Sequence, residues 1–208
     1  MSTLDDLIRQ FERFPGVGAR QARRFAFHIL TLPEAEATQL ATDIRDLQHE
    51  VVECASCHRF FSKNGSVGEL CTICNAPGRD HTRLLVVAQD SDVQAIERSG
   101  VYDGLYFVLG GTVPLLSSDG TKRLRGGALK ATVDTRLPEG LTEIILGFAV
   151  NPDGENTARF VHTLLAPVLT DTAATITHLG RGLSTGSELE YADPDTIRYA
   201  LSHRTSDS

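Results

Sequence analysis

Several features that define other classes of protein are absent from this chain of 208 residues. No apolar run approaches the roughly 20 residues that a membrane-spanning helix needs, so we expect no membrane segment. The first six residues carry neither the basic start nor the apolar run of a secretion signal, which predicts a cytoplasmic protein in a reducing compartment. A phosphate-binding P-loop and a nucleophile elbow, the motifs of two large groups of enzymes, are also missing.

An excess of positive charge is missing as well. The chain has 20 Lys and Arg against 27 Asp and Glu, which gives a formal net charge of −7. Proteins that hold nucleic acid through bulk electrostatics normally carry a basic domain, so any nucleic-acid contact here must be local or geometric. The cations cluster in two places, at Arg20, Arg23 and Arg24 and at Lys122, Arg123, Arg125 and Lys130.

Cysteine is scarce, and all four cysteines fall into two CxxC pairs with thirteen residues between them, Cys54, Cys57, Cys71 and Cys74. Two such turns supply the four thiolates that tetrahedral Zn²⁺ prefers and leave no open position, which predicts one structural zinc ion per chain. Two disulfides would need an oxidising compartment, and a redox site would usually have a single CxxC. His58 could replace a ligand, but a solvated neighbour of the site is the simpler interpretation.

Ahead of the cysteines, the apolar spacing predicts a helix over 4–13 behind a Ser2 or Thr3 cap and a second helix from about Ala19. The sequence between them, Phe-Pro-Gly-Val-Gly, predicts a tight turn in which Gly16 and Gly18 leave backbone N–H groups accessible. Because these groups lie at the positive end of the second helix, a phosphate would be favoured there.

The second helix places three arginines on one face, Arg20, Arg23 and Arg24, with an apolar stripe on the other. Helix, glycine turn, helix and an arginine after the turn resemble the helix-hairpin-helix motif, which grips the DNA backbone without reading bases. The alternative is an ordinary helical hairpin with a solvated arginine face. A long amphipathic helix after Pro33 runs to about Val51; we expect it to pack on the first two helices, although a partner-binding helix fits the same pattern.

Residues 63–68 are expected to form a hairpin tip, and the polar stretch 75–80 predicts a linker with a domain boundary near residue 80. Beyond it, apolar runs predict strands over 84–88, 105–109, 143–149 and 174–179, with a helix that Ser91 caps and another over 160–168. Strands joined by helices predict a mainly parallel sheet in an α/β domain. The segment 110–140 is expected to be irregular, as a solvated loop or a DNA contact. The end predicts a short strand over 189–191, a helix from Asp193 and Pro194, and a disordered tail from Ser202.

In this order the modules resemble the bacterial recombination mediator family RecR over nearly the whole chain. Besides the hairpin and the cysteines, the motifs are at 85–87, 92–97, 106–109, 153–158 and 186–193. The resemblance implies a multi-module α+β and α/β protein: a helix-hairpin-helix module over 1–53, a four-cysteine zinc finger over 54–80, a Toprim-like domain over 81–180 and a C-terminal strand-helix arm over 181–208. It also implies a ring-shaped tetramer around DNA in the nucleoid, and partners like RecO and RecF that help load RecA onto single-stranded DNA coated by single-strand-binding protein.

The family's phosphate-gripping glycines match Gly16 and Gly18, and its basic hairpin positions match Arg20, where a lysine is usual, and Arg24. The zinc loop is longer than is usual in the family. The glutamate that ends the first strand of catalytic Toprim domains is Ala88 here, and the paired aspartates fall on Ala149 and Asn151.

Because Mg²⁺ needs several carboxylates, these departures predict a protein without catalytic activity and argue against the alternative, a magnesium-dependent Toprim nuclease or primase. Asp153 and Glu155 are expected to bind a basic partner, RecO by the resemblance, although Asp153 would also suit a helix N-cap. A zinc module without any DNA role is a third hypothesis.

Overall fold

A computed structural model describes residues 2–63, 68–115, 120–180, 182–183, 186 and 188–202. The chain divides into two compact units, Met1–Val52 and Glu53–Ser208. The helices are α1 (Thr3–Glu12), α2 (Ala19–Thr31), α3 (Glu34–Glu50), α4 (Asp90–Ser99), α5 (Gly126–Arg136), α6 (Pro152–Leu169) and α7 (Pro194–Ser202). The strands are β1 (Val51–Glu53), β2 (Phe60–Ser62), β3 (Asp80–Val87), β4 (Gly104–Val108), β5 (Glu143–Gly147) and β6 (Thr175–His178). None of the described helices is long and apolar enough to cross a membrane.

The first unit begins with a helical hairpin, as the sequence predicts. Ser2 caps α1 in a capping box with Asp5, and α2 starts at Ala19 directly after Gly18. Phe11 of α1 meets Phe25 of α2 edge to face, with ring centroids 5.8 Å apart. The two helices pack through these rings, while the small residues Ala22 and Ala26 are fully buried on α2.

Helix α3 forms where the sequence predicts it, but its expected packing is wrong. None of the residues of α3 is buried, and Ile44 and Leu47 are 61% and 60% exposed. The apolar stripe therefore lies on the surface of this chain. This is the arrangement that the alternative hypothesis, a partner-binding helix, requires.

The second unit is built on a four-stranded sheet in the order β4, β3, β5, β6. All of its pairs are parallel, with Leu85 opposite Tyr106 on one side and Ile145 on the other. Burial along β4 is complete, which explains why the strands appear in the sequence as continuous apolar runs rather than alternating ones. The prediction of a mainly parallel α/β sheet is confirmed.

Three local predictions are wrong. Part of the segment 110–140, which was expected to be irregular, forms α5, and Leu129 and Val133 of this helix are buried against the sheet. The glycines and charged residues of α5 hide its helical pattern in the sequence. Helix α4 begins one residue before Ser91, after Gln89, whose N–H donates to Asp92 at 2.8 Å. Residues Leu189–Tyr191 form a short 3-10 helix rather than a strand.

The predicted hairpin tip at 63–68 and the predicted disordered tail lie largely outside the described residues. The cysteine loop and the sheet share one compact unit, so the boundary predicted near residue 80 does not coincide with a division of the structure. Arg79, in the stretch expected to be a linker, donates to the carbonyl oxygens of Tyr102 and Gly104 and pairs with Glu97. The exact domain limits stay a prediction.

Candidate metal centre and nucleic-acid interface

The four cysteines converge on one point. Their sulfur atoms all lie within 4.8 Å of one another, and the Sγ atoms of Cys57 and Cys71 are 3.7 Å apart. Four sulfurs held tetrahedrally at about 2.3 Å from a zinc ion would lie about 3.8 Å apart, so the cluster fits such an ion. Among the described residues it is the only group of three or more Cys, His, Asp or Glu side chains with this convergence.

Backbone hydrogen bonds hold the two CxxC turns in place. The N–H of Cys71 donates to the sulfur of Cys54 at 3.4 Å, and the N–H of Cys54 donates to the Arg59 carbonyl at 2.9 Å. His58 adopts a φ of 61°, a left-handed conformation that continues the first turn. These bonds help to direct the thiols toward one point.

The thiols of the cluster differ in acidity. The hydrogen bond from the Cys57 thiol lowers the pKa of Cys54, and the same contact, with help from burial, raises the pKa of Cys57. Four adjacent thiolates would repel one another unless a cation neutralised them. The donor set is that of a soft, tetrahedral metal.

His58 is neither a ligand nor the solvated neighbour that the sequence suggests. Its Nδ1 lies 2.6 Å from a carboxylate oxygen of Glu53, and its ring meets Phe107 at a centroid distance of 4.9 Å. The pKa of Glu53 is lowered because its hydrogen bonds from His58 and Arg125 outweigh the opposing effect of burial. His58 thus connects the cysteine loop to the sheet.

More contacts fasten the loop to the sheet. The Val108 N–H donates to the Cys57 carbonyl at 2.8 Å, and the Phe60 N–H donates to Asp90 at 2.7 Å. Arg136 of α5 donates to the hydroxyl of Ser56 at 2.8 Å. The cysteine loop is therefore attached to the sheet and to α5 by hydrogen bonds.

The glycine turn presents the geometry expected of a phosphate grip. Gly16 has a φ of 75°, which glycine adopts without strain, and a β-carbon on Gly16 or Gly18 would meet no atom within 4 Å. Helix α2 has neither a side-chain N-cap nor an acidic residue in its first turn. Its positive end is therefore accessible and not neutralised by the helix itself.

The three arginines of α2, Arg20, Arg23 and Arg24, are all exposed. Arg24 donates to Gln21 at 3.3 Å, and no described carboxylate pairs with any of the three within ion-pair distance. In a chain with net charge −7, this makes the α2 face a local cationic surface.

At the carboxyl ends of the central strands, the three positions predicted for the acidic groups of a magnesium site carry other residues. Ala88 follows β3, and Ala149 follows β5. Asn151 is the N-cap of α6 and accepts from the Gly154 N–H at 2.8 Å. The side chain at the last of the expected aspartate positions is thus used for capping.

Asp153 is not the N-cap that the sequence allows. Its carboxylate accepts from the Leu115 N–H at 3.0 Å and so ties the loop after β4 to α6. Glu155 lies in the first turn of α6 beside it. Thr157 supports the same loop, since its hydroxyl accepts from the Val113 N–H at 2.8 Å.

Sequence reasoning missed three residues near the end of β3. Arg125, assigned only to a general basic cluster, pairs with Glu53 at 2.8 Å and lies 5.7 Å from the centroid of the Phe60 ring. Phe60, Arg123 and Arg125 line one cavity. Nothing in the sequence links Phe60 to the cluster that contains Arg123 and Arg125, because the two segments are far apart in the chain.

Comparison with known families and proteins agrees with this arrangement. Family models match in the order of the modules: "RecR, helix-hairpin-helix" over residues 4–47, "Toprim domain" over 82–179 and "RecR, C-terminal" over 182–205. The chain is thus a protein with a helix-hairpin-helix module and a Toprim domain.

Individual relatives agree over nearly the full length. The chain is 36% identical to the recombination protein RecR of Cutibacterium acnes over 97% of this chain and 94% of that one. It is 39% identical to RecR of Chloroflexus aggregans over 95% and 91%, and 37% identical to RecR of Rhodopirellula baltica over 97% and 95%. The chain belongs to the RecR family.

Proposed function

We propose that this chain is a non-catalytic, DNA-binding recombination mediator in DNA repair. In this proposal it assembles as a ring, most simply a tetramer, around DNA in the cytoplasm at the nucleoid. With proteins like RecO and RecF it helps load RecA onto single-stranded DNA coated by single-strand-binding protein. Membership of the RecR family supports the role in recombination and repair.

The observation that carries the DNA role is the start of α2. An uncapped helix end, the glycines Gly16 and Gly18, and the exposed face of Arg20, Arg23 and Arg24 lie together on an otherwise acidic chain. Such a surface suits phosphate groups and contains no feature that would distinguish bases. Binding through it alone would be weak, and enclosure of the DNA by a ring would compensate for the small number of phosphates held.

Charge reversal tests this role. We expect Arg20→Glu with Arg24→Glu to weaken retention of DNA at fixed salt. The slope of log affinity against log salt concentration should become shallower by about one for each phosphate that the variant no longer binds. Arg45→Glu is the control for each single reversal, because Arg45 is an exposed arginine of the same unit outside the hairpin, although it pairs with Asp46. Unchanged retention by the double variant would favour the hypothesis of a zinc module without a DNA role.

The same proposal assigns zinc to Cys54, Cys57, Cys71 and Cys74 in a structural role. Four sulfurs at tetrahedral spacing support it, as does the lack of a fifth donor among the described residues near the cluster. Metal analysis of the purified protein should give one zinc per chain. Another metal, or substoichiometric zinc after purification without chelators, would contradict the assignment.

The proposed lack of catalysis rests on Ala88, Ala149 and Asn151. Phosphoryl-transfer enzymes of the Toprim type need a glutamate and paired aspartates for Mg²⁺, and no described group of three acidic residues converges at this edge of the sheet. Purified protein should neither nick nor relax supercoiled plasmid with magnesium, in parallel with a sample containing a chelator. Sustained magnesium-dependent nicking would establish the alternative, a Toprim nuclease or primase.

Asp153 and Glu155 are proposed to bind a basic partner, a RecO-like protein. Both lie in the first turn of α6, next to Val150, which is 64% exposed. Since Asp153 also holds Leu115, Glu155→Lys is the cleaner test. The variant should lose binding to the RecO-like protein while keeping wild-type DNA retention; intact partner binding would remove Glu155 from the interface.

A further inference from the structure

The carboxyl ends of β3 and β4 border a cavity that the proposed function does not use. Its volume is about 470 Å³, within the range of roughly 300–1,000 Å³ typical of small-ligand sites. Ala88 lies in its wall, so the cavity includes the place where a catalytic Toprim domain would carry its glutamate. The polar and aromatic groups in the lining are Phe60, Gln89, Asp90, Ser91, Arg123 and Arg125.

A fixed guanidinium lies over one face of an aromatic ring in this cavity. The ring of Phe60 is 52% exposed, and the Cζ atom of Arg125 lies 5.7 Å from its centroid. The side chain of Arg125 is fixed in place, because it pairs with Glu53 at 2.8 Å and donates to the Val108 carbonyl at 3.2 Å. The exposed part of this ring, which the guanidinium does not cover, is a surface on which a flat heterocycle can stack.

A second cation stands next to this surface. Arg123 is exposed, and among the described residues it has no carboxylate partner, in contrast to Arg125. The carboxylate of Asp90, which also lines the cavity, accepts from the Phe60 N–H at 2.7 Å and so helps to hold the strand that carries the ring. The cavity therefore offers one stacking surface and, within the described part of the chain, one unpaired positive charge.

We propose that this cavity binds one nucleotide of a single strand of nucleic acid, with the base stacked on Phe60 beside Arg125 and a phosphate at Arg123. Gln89 and Ser91 line the same cavity and can donate hydrogen bonds to a base. A base inside a duplex is already stacked and cannot enter, so the site favours single strands. The inference rests on the proposed DNA role and adds a contact in the sheet unit, separate from the arginine face of α2.

The chain contains no tryptophan, which allows a local test. In Phe60→Trp the only indole lies in the cavity, and we expect its fluorescence to be quenched saturably by an oligothymidylate of about 12 nucleotides. Thymidine monophosphate should quench only at much higher concentration, and duplex of the same length should not quench. Val101→Trp is the control, because Val101 is 84% exposed and follows α4 at the end away from Gln89.

Two further variants test the phosphate contact and the stacking separately. Arg123→Gln in the Phe60→Trp background should shift the quenching midpoint to several-fold higher oligonucleotide concentration. Folding should be unaffected, since the described contacts of Arg123 include no ion pair. Phe60→Leu, without the tryptophan, should weaken single-strand binding by about five- to hundred-fold, the effect expected for loss of one stacked base.

The outcomes separate this inference from the proposed function. If a labelled strand binds with wild-type affinity but leaves the tryptophan unquenched, the inference is overturned and the DNA role stands. Equal quenching by duplex would also overturn it, and equal quenching by the monophosphate would support a mononucleotide site of the same chemistry. If quenching persists while Arg20→Glu with Arg24→Glu retains DNA normally, the cavity is supported and the hairpin grip is overturned.

Discussion

The carbonyl oxygen of Cys57 accepts a hydrogen bond from the backbone N–H of Val108 at 2.8 Å, and this bond joins the cysteine cluster to the sheet. β4 is an edge strand, with β3 on its other side. The cysteine loop therefore occupies an edge that would otherwise be open to another chain. A metal ion held by the four cysteines would therefore stabilise the sheet as well as its own loop.

Removal of the metal proposed at the four cysteines should therefore loosen β4. A chelator, or Cys57→Ser, should speed hydrogen exchange at the Val108 amide strongly, because the loop that accepts its hydrogen bond loses its fixed shape. The amide of Ile145, on the interior strand β5, is the control and should stay protected. If the protection of Val108 is unchanged in metal-free protein, the loop docks without help from the cluster.

A second prediction concerns acid stability. Glu97 accepts from the Tyr106 hydroxyl at 2.7 Å and pairs with Arg79, whose side chain is only 14% exposed. Burial acts to raise the pKa of Glu97, but the Arg79 and Tyr106 hydrogen bonds outweigh it and lower the pKa overall. A carboxyl group whose pKa is lowered on folding stabilises the folded state at pH values above its pKa in the unfolded chain, which is near 4.5. This contribution is lost as the pH falls through the lower pKa of the folded state.

Arg79→Gln should accordingly cost about 1–2 kcal/mol of unfolding free energy at pH 7, since it removes a charged hydrogen-bond partner. The difference from wild type should shrink as the pH falls from about 4.5 through the lowered pKa of Glu97 in the folded wild type, below which Glu97 is protonated in both proteins. Denaturant unfolding at several pH values measures this. A difference that is constant between pH 7 and about pH 3 would show that the charge of Glu97 does not contribute.

Much of the fold follows from local pattern. The helices of the hairpin and strands β3 to β6 have strong apolar periodicity or continuous apolar runs, and the structure forms them where predicted to within a few residues. Helix α5 could not be predicted in this way, because Gly126 and Gly127 weaken its helical pattern and its support comes from Phe160 and Leu164 of α6. Such tertiary contacts leave no local signal.

The candidate sites also differ in whether a local sequence signal or a tertiary contact defines them. The cysteine cluster could be predicted because a CxxC turn is local and its chemistry is specific. The roles of His58 and Arg125 could not, since each depends on Glu53 and on strand β4, which reach them only through the fold. Two roles for Asp153 were compatible with the sequence, and its contact with Leu115 is a third that only the structure shows.

The exposed stripe of α3 leads to a prediction about assembly. Leu40, Ile44 and Leu47 are 39%, 61% and 60% exposed, and a surface of this kind is stable when another molecule covers it. If a second copy covers it in the proposed ring, Ile44→Glu with Leu47→Glu should lower the mass in solution without lowering the melting temperature of the dissociated chain. Gln48→Glu, an exposed polar position of the same helix, is the control.

Light scattering or sedimentation measures the outcome. A mass that stays unchanged in the double variant would show that α3 is not part of the self-association surface, and a wild-type monomer at micromolar concentration would contradict the ring itself. The charge control matters because each glutamate adds negative charge to an already acidic chain. Only a mass change that is specific to the apolar positions supports burial of the stripe.

The last prediction concerns Gly154, which the sequence presents only as one residue of a motif. A β-carbon at this position would lie 1.9 Å from the Ala149 carbonyl oxygen. The turn that carries Asn151 can therefore adopt this conformation only with glycine at position 154. Gly154→Ala must displace that turn and disturb the bond between the Gly154 N–H and the Asn151 side chain. We expect a loss of about 1–3 kcal/mol in unfolding free energy.

Gly127→Ala provides the matched control within the same unit. Gly127 is also helical, but a β-carbon there would meet nothing within 4 Å. Because alanine is favoured over glycine in helices, this change should stabilise the protein, by up to about 1 kcal/mol. Opposite signs for the two variants in thermal unfolding would show that close packing at the end of β5, rather than helix propensity, requires glycine at position 154; equal signs would contradict that explanation.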